Sequence, residues 1–257
     1  MRPTSGIRIE RLTWPEVQRW LDDEVPVVLP IGARCKEHGL HLPMNNDWLL
    51  AEYLLDRILE KRRVAALPTV PYGFYPAFID YPGSVNIARD TFADTVVDIG
   101  RSIQRHGARC LYVLNTGVST TWALEPARLR LGECGLLMDY TDILSVLAPV
   151  ERELMEQSAG THADEIETSM MLYIAPDVVR MDRAQPDLPA KPGRGPFTRD
   201  PDRPGHYSPT GAWGDPTLAT EAKGRRVIET LVAALIAEID ALAAADFVPV
   251  PPRECYL

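Results

Sequence analysis

The chain has 257 residues, 46% of them hydrophobic and 25% charged, with a formal net charge of −9. This is an ordinary globular composition able to bury a sizeable core, and its acidity argues against a nucleic-acid surface, which needs a basic stripe. No apolar stretch is long enough to span a bilayer, so no membrane association is expected.

Arg8, Glu10, Arg11 and Glu16 interrupt any secretory leader. Cys35, Cys110, Cys134 and Cys255 contain no close pair. A reduced, cytoplasmic protein is expected, with its cysteines packed as small hydrophobes.

In chain order, Thr13 stands where it can cap a helix over residues 14–21. The continuous apolar run 25–32 predicts a strand buried on both faces. Leu50, Tyr53, Leu54 and Ile58 give residues 47–62 helical periodicity. Residues 64–70 read as a strand and 91–106 as a helix, ended by Gly107 as a left-handed cap. A buried strand at 110–115, a helix at 123–133, a segment containing a strand at 136–147 and a helix at 165–173 follow. An Ala-rich helix closes the series at 220–244.

Strands alternating with helices imply a single α/β domain, here 1–257, with a mostly parallel sheet flanked by helices. Residues 185–216 are rich in Pro and Gly and read as an extended loop laid on the domain or on a neighbouring subunit.

In open α/β sheets, ligands bind beyond the carboxyl ends of the strands. Three polar loops occupy that place. The first carries Glu37, His38, His41 and Asp47; the second Asn115, Thr116, Ser119 and Thr120; the third His162, Asp164, Glu165 and Glu167. Of the chain's five histidines, three lie in the first and third loops, whereas His106 and His206 read as loop hydrogen-bonders. Imidazole with carboxylate suits Zn²⁺, Mn²⁺ or Fe²⁺ acting as a hydrolytic Lewis acid. Loop aromatics, namely Tyr72, Phe74, Tyr75, Trp122 and Trp213, are candidates for substrate selection or ordinary packing.

Leu29-Pro30-Ile31-Gly32-Ala33 with Glu37-His38-Gly39-Leu40-His41-Leu42-Pro43 and Asp47 resembles the first motif of the creatininase family. Tyr81-Pro82-Gly83-Ser84, His162-Ala163-Asp164-Glu165-Ile166-Glu167-Thr168-Ser169 and Gly211-Ala212-Trp213-Gly214-Asp215-Pro216 resemble later family segments in the same order. The resemblance extends over about residues 25–225. It implies a three-layer fold, a homo-oligomer such as a hexamer, and metal-assisted attack on a C–N amide-type bond of a small linear or cyclic substrate.

Carried over by position, the resemblance makes His38, Asp47 and Glu167 metal ligands, with Glu165 as the rival to Glu167 and, beside His162, a catalytic candidate. His162 matches a histidine that assists proton transfer. Two positions depart from the family pattern. The metal-binding Glu that precedes the motif Gly falls on Lys36, and Glu37 either reaches the metal through a rearranged loop or stays a hydrogen-bonding residue. The histidine of the second loop falls on Gly117. Both lost ligands serve one of two metals, so one ion is expected, Zn²⁺ ahead of Mn²⁺ or Fe²⁺. A Lys36 pointing inward would replace the lost charge and stabilise an oxyanion. The competing expectation is a scaffold of the same fold that binds a small ligand or a partner without hydrolysis.

Overall fold

Val27–Ile31 and Cys110–Asn115 are buried along their whole length and form the centre of a five-stranded sheet. The computed structural model describes residues 5–189 and 193–246. Cys255 and residues 190–192 of the Pro/Gly-rich stretch lie outside them. The strands are β1 (Ile7–Arg8), β2 (Val27–Ile31), β3 (Ala65–Ala66), β4 (Cys110–Asn115) and β5 (Leu137–Tyr140). Their order is β1-β3-β2-β4-β5 and every pairing is parallel.

The helices are α1 (Trp14–Asp22), α2 (Asn46–Lys61), α3 (Arg89–Arg105), α4 (Thr121–Glu133), α5 (Ile143–Leu154), α6 (Glu165–Ile174) and α7 (Glu221–Ala244). Successive strand side chains point to opposite faces. Val28, Tyr112 and Leu114 therefore enter one core layer with Leu54 and Ile58 of α2, Met170 of α6 and Leu231 of α7. Val27, Leu29, Leu111 and Val113 enter the other with Phe92 and Val96 of α3 and Leu124 of α4. Each fully buried aliphatic side chain stabilises the fold by about 1.5–3 kcal/mol before entropy is counted. The α/β sandwich follows from these two apolar faces.

The strand expected at 64–70 is only Ala65–Ala66, although Val70 bridges Ile31 beyond it. β5 supplies the strand expected within 136–147. The same stretch also begins α5, whose first turn is capped by the Asp142 carboxylate accepting from the Ser145 N–H at 3.5 Å. Gly107 has φ +102° at the end of α3, as its place in the sequence predicts.

α6 and α7 touch through backbone. A Cβ on Gly224 would lie 1.8 Å from the Ser169 carbonyl oxygen, so only Gly permits this approach. Ser169 Oγ accepts from the Thr220 N–H at 3.0 Å and donates to the Glu165 carbonyl at 2.6 Å. The Thr168-Ser169 and Ala219-to-Gly224 segments, distant in sequence, are thus one packing unit.

The Pro/Gly-rich stretch returns to the sheet's carboxyl end. Its β6 (Phe197–Thr198) pairs with β7 (His206–Tyr207), and the Tyr81 hydroxyl donates to the Ser208 carbonyl at 2.8 Å. Among the described residues, no helix is long and apolar enough to cross a membrane. Cys35, Cys110 and Cys134 are free thiols, Cys110 buried and the other two half-buried.

Candidate metal centre

The site starts where β2 ends. The loop after Ile31 carries Lys36, Glu37 and His38 and enters α2 at Asn46, which leaves Asp47 in the first helical turn. A carboxylate is favoured there by the exposed N–H groups of the helix start. Thr116, just beyond β4, holds the two strand ends together: its Oγ donates to the Ile31 and Asp47 carbonyls at 3.1 and 3.2 Å.

His38 Nδ1 lies 3.0 Å from the Lys36 carbonyl, an arrangement that makes Nδ1 the donor and leaves Nε2 as the base. Nε2 lies 2.8 Å from Asp47 Oδ1 and 3.9 Å from Glu167 Oε1. The other Asp47 oxygen, Oδ2, receives the Lys36 ammonium at 2.7 Å. Lys36, His38 and Asp47 are buried, and Glu167 is partly exposed.

The third loop faces this group. Asp164 caps α6 by accepting from the Ile166 and Glu167 N–H groups, both at 3.0 Å. Glu167, in the first turn, accepts from the Ala163 N–H at 2.5 Å and lies 3.5 Å from His162 Nδ1. Ala163 holds this position with φ +47°. His162 Nε2 donates to Glu37 Oε1 at 2.8 Å, and the other Glu37 oxygen accepts from the Gly39 N–H at 2.9 Å. One ligand atom from each of His38, His162 and Glu167 falls within a common 4.8 Å.

Charges in this cluster perturb one another. Burial alone would raise the Asp47 pKa, but Lys36 and His38 outweigh it and hold the carboxyl well below the usual range. Burial likewise pulls Lys36 down, and Asp47, Glu167 and Glu37 more than restore it, so it stays an ammonium. His162 is raised despite its burial, by Glu37 first and then Glu167. Glu37, Asp47 and Glu167 bring three negative charges against one from Lys36. The carboxylates outnumber the ammonium, and burial makes an acidic excess costly unless a cation balances it. The donor set and the charge both fit one divalent ion.

The model of the family described as creatinine amidohydrolase matches residues 10–239. The chain belongs to the creatininase family. It is 27% identical over 248 residues to a creatinine amidohydrolase of Pseudomonas putida, covering 89% of this chain and 94% of that protein. It is 28% identical over 221 residues to a mycofactocin precursor peptide peptidase of Mycolicibacterium smegmatis (strain ATCC 700084 / mc(2)155), covering 83% and 84%. A solved creatininase in an Mn form superposes with a TM-score of 0.80 at 26% identity, over 93% of this chain and all of the other. Both curated relatives are named as hydrolases of C–N bonds.

Set against that family, the structure brings His38, Asp47, His162 and Glu167 together as the motifs imply. It does not bring Glu165 there. That carboxylate is fully buried on the far side of α6, where it accepts from the Glu156 and Gln157 N–H groups and from the Lys223 ammonium at 2.5 Å. Residues two apart on a helix diverge by about 200°, so Glu165 and Glu167 cannot share a site. Glu37 is also turned away from His38, because both of its oxygens are engaged by His162 and Gly39. The creatininase histidine position is Gly117, and the neighbouring Asn115 side chain folds back on it, donating to its carbonyl at 2.7 Å and accepting from its N–H at 3.1 Å.

Other residues near the site gave no local signal. Phe78 and Phe197 lie against His162, with ring centroids 4.2 and 5.7 Å away. His206, expected as a loop hydrogen-bonder, is instead buried between Phe197 and Trp213 at 4.5 and 4.8 Å, its ring nitrogens without a partner. Burial holds its pKa below the ordinary value. Trp213 itself pins His162 through backbone, donating its N–H to the His162 carbonyl at 2.8 Å. His41 is not beside Asp47: its Nε2 meets Thr168 Oγ1 at 2.7 Å.

Proposed function

We propose that this protein hydrolyses an amide-type C–N bond of a small linear or cyclic substrate with the help of one divalent ion, Zn²⁺ ahead of Mn²⁺ or Fe²⁺. The observation that carries this reading is the convergence of His38, His162 and Glu167 within 4.8 Å beside Asp47, in a cluster where carboxylates outnumber the one ammonium. His38, Asp47 and Glu167 would hold the ion, which when bound supplies Lewis acidity toward the scissile carbonyl. Glu37 fixes the His162 ring by accepting from Nε2, so that Nδ1 points toward the cluster and can take or deliver a proton at the leaving nitrogen. Phe78 and Phe197 cover His162 and keep water from its ring. The reading extends to the whole chain as one domain of a cytoplasmic homo-oligomer.

The test is hydrolysis of a panel of cyclic ureides, linear amides and short peptides by the chelated and the Zn²⁺-reconstituted protein. Metal-dependent turnover of a non-peptide amide that disappears in His38→Ala is the expected result. A second reading, a non-catalytic scaffold, draws on the internal pairing of Lys36 with Asp47 and of His162 with Glu37. It predicts that His38→Ala keeps ligand affinity and biological activity, and hydrolysis by the intact protein that disappears in this variant would exclude it.

A further inference from the structure

Lys36 is the one cationic side chain in the cluster, and its position is fixed from several sides. Its ammonium lies 2.7 Å from Asp47 Oδ2 and 5.1 Å from the centre of the Phe78 ring, with the side chain only 7% exposed. The backbone around it is tied down: its N–H donates to the Met44 carbonyl at 3.1 Å, its own carbonyl holds His38 Nδ1 at 3.0 Å, and the next N–H donates to Ser84 Oγ at 3.0 Å. The residue that orients His38 by its carbonyl therefore occupies one oxygen of Asp47 by its side chain.

We propose that the Lys36 ammonium is a built-in cation that takes one side of Asp47 and sets the affinity of the centre for the single divalent ion that the second loop leaves it. This rests on the reading of the cluster as a metal centre and adds which side of it is closed. A carboxylate can join two cations, one on each oxygen. Here Oδ2 belongs to the ammonium, and only the oxygen facing His38 remains.

The loop opposite, residues 115–120, has no histidine or carboxylate to hold a second ion. Gly117 has no side chain, Asn115 is engaged with Gly117 and with the Thr141 carbonyl, and the Thr116 hydroxyl with the Ile31 and Asp47 carbonyls. Charge gives the same answer. One ammonium and one divalent ion balance the carboxylates of Glu37, Asp47 and Glu167, whereas a second divalent ion would leave two positive charges buried without partners. Lys36 is in this account a positioning residue, holding Asp47 and setting the charge seen by the ion.

The experiment is calorimetric titration of the chelated full-length protein with Zn²⁺, with elemental analysis of the product. The wild type is expected to bind one Zn²⁺ per chain. Lys36→Met should keep that stoichiometry and lower the Zn²⁺ Kd by about tenfold or more, because a like charge is removed and Oδ2 is released. Lys36→Arg should show no such tightening.

Two Zn²⁺ per wild-type chain, or a Lys36→Met protein that binds Zn²⁺ no more tightly than the wild type, would overturn the proposal and leave the hydrolase reading standing. Zn²⁺ binding by Lys36→Met alone would uphold the role of the lysine and overturn the hydrolase reading. Circular dichroism checks the fold of each variant, and two Zn²⁺ per wild-type chain overturns the proposal even if Lys36→Met does not fold.

Discussion

Glu37 and His162 form a hydrogen-bonded carboxylate–imidazole pair, 2.8 Å between Oε1 and Nε2, assembled from two loops 125 residues apart. The carboxylate is wedged against Gly211, where a Cβ would fall 2.0 Å from Oε2 at a backbone φ of +84°. The pairing is therefore built into the backbone on both sides, and it accounts for the match of the late Gly211-to-Pro216 segment to a family pattern that carries no ligand.

Replacing Glu37 by Gln keeps the shape and removes the charge that raises His162. Turnover should fall about tenfold to a hundredfold, at or below the lower end of what a positioned proton-transfer group contributes, because His162 itself remains. The limb of the pH–rate profile that belongs to His162 should move to lower pH, because the carboxylate that raises His162 is gone. Rate measurements across pH 5–9 (about the range in which a histidine titrates) check this. A Glu37→Gln protein with unchanged profile would show that the pair does not govern His162.

His41 makes a separate prediction about stability. Burial, acting ahead of the raising influence of Glu167, lowers its pKa to about 4, against an ordinary value of 6.5. The unfolded chain therefore takes up a proton that the folded chain refuses, so stability is complete above about pH 6.5 and is lost as the pH falls toward 4. The loss from this residue is at most roughly 3 kcal/mol. Urea unfolding of the wild type and His41→Gln at pH 7 and pH 4.5 (about the two ends of this window) measures it. The variant should lose less stability between the two; an equal loss would assign the acid sensitivity elsewhere.

Much of the centre is legible from sequence because it is local. His38 and Asp47 sit on one loop–helix entry after β2, and His162 and Glu167 on one capped helix start. The alternation of strands and helices likewise predicts the parallel sheet. Contacts between loops are another matter. Periodicity says that Glu165 and Glu167 face different ways, but only the docking of α7, which brings Lys223 to Glu165, decides which one looks at His38.

The inward turn of Lys36 and the burial of His206 are of the same kind, since each depends on partners at Asp47, Phe197 and Trp213 that no local pattern reveals. β3 is short for a related reason. The chain from Leu67 to Val70 follows β2 with bonds to Val28 and Pro30, yet the Pro residues at 30 and 68 break the regular ladder.

Glu165 and Lys223 give the third prediction. Glu165 is fully buried, and among the described residues Lys223 is its cationic partner, together with the two N–H groups of Glu156 and Gln157. Lys223→Met should cost about 3–5 kcal/mol, the usual penalty for leaving a buried charge unpaired. Glu165→Gln should be milder and should leave kcat within about twofold in the folded protein, since the side chain faces away from His38. Thermal melts and steady-state rates on both variants test this. Loss of turnover in a well-folded Glu165→Gln protein would restore Glu165 to the reaction.

The most direct measurement is the metal content of the purified wild-type protein, by elemental analysis before and after reconstitution with Zn²⁺, Mn²⁺ and Fe²⁺. The cluster of His38, Asp47, His162 and Glu167 beside Lys36 predicts close to one divalent ion per chain, lost in His38→Ala. A protein that takes up no ion under any of these conditions would contradict the metal-dependent hydrolase at its root.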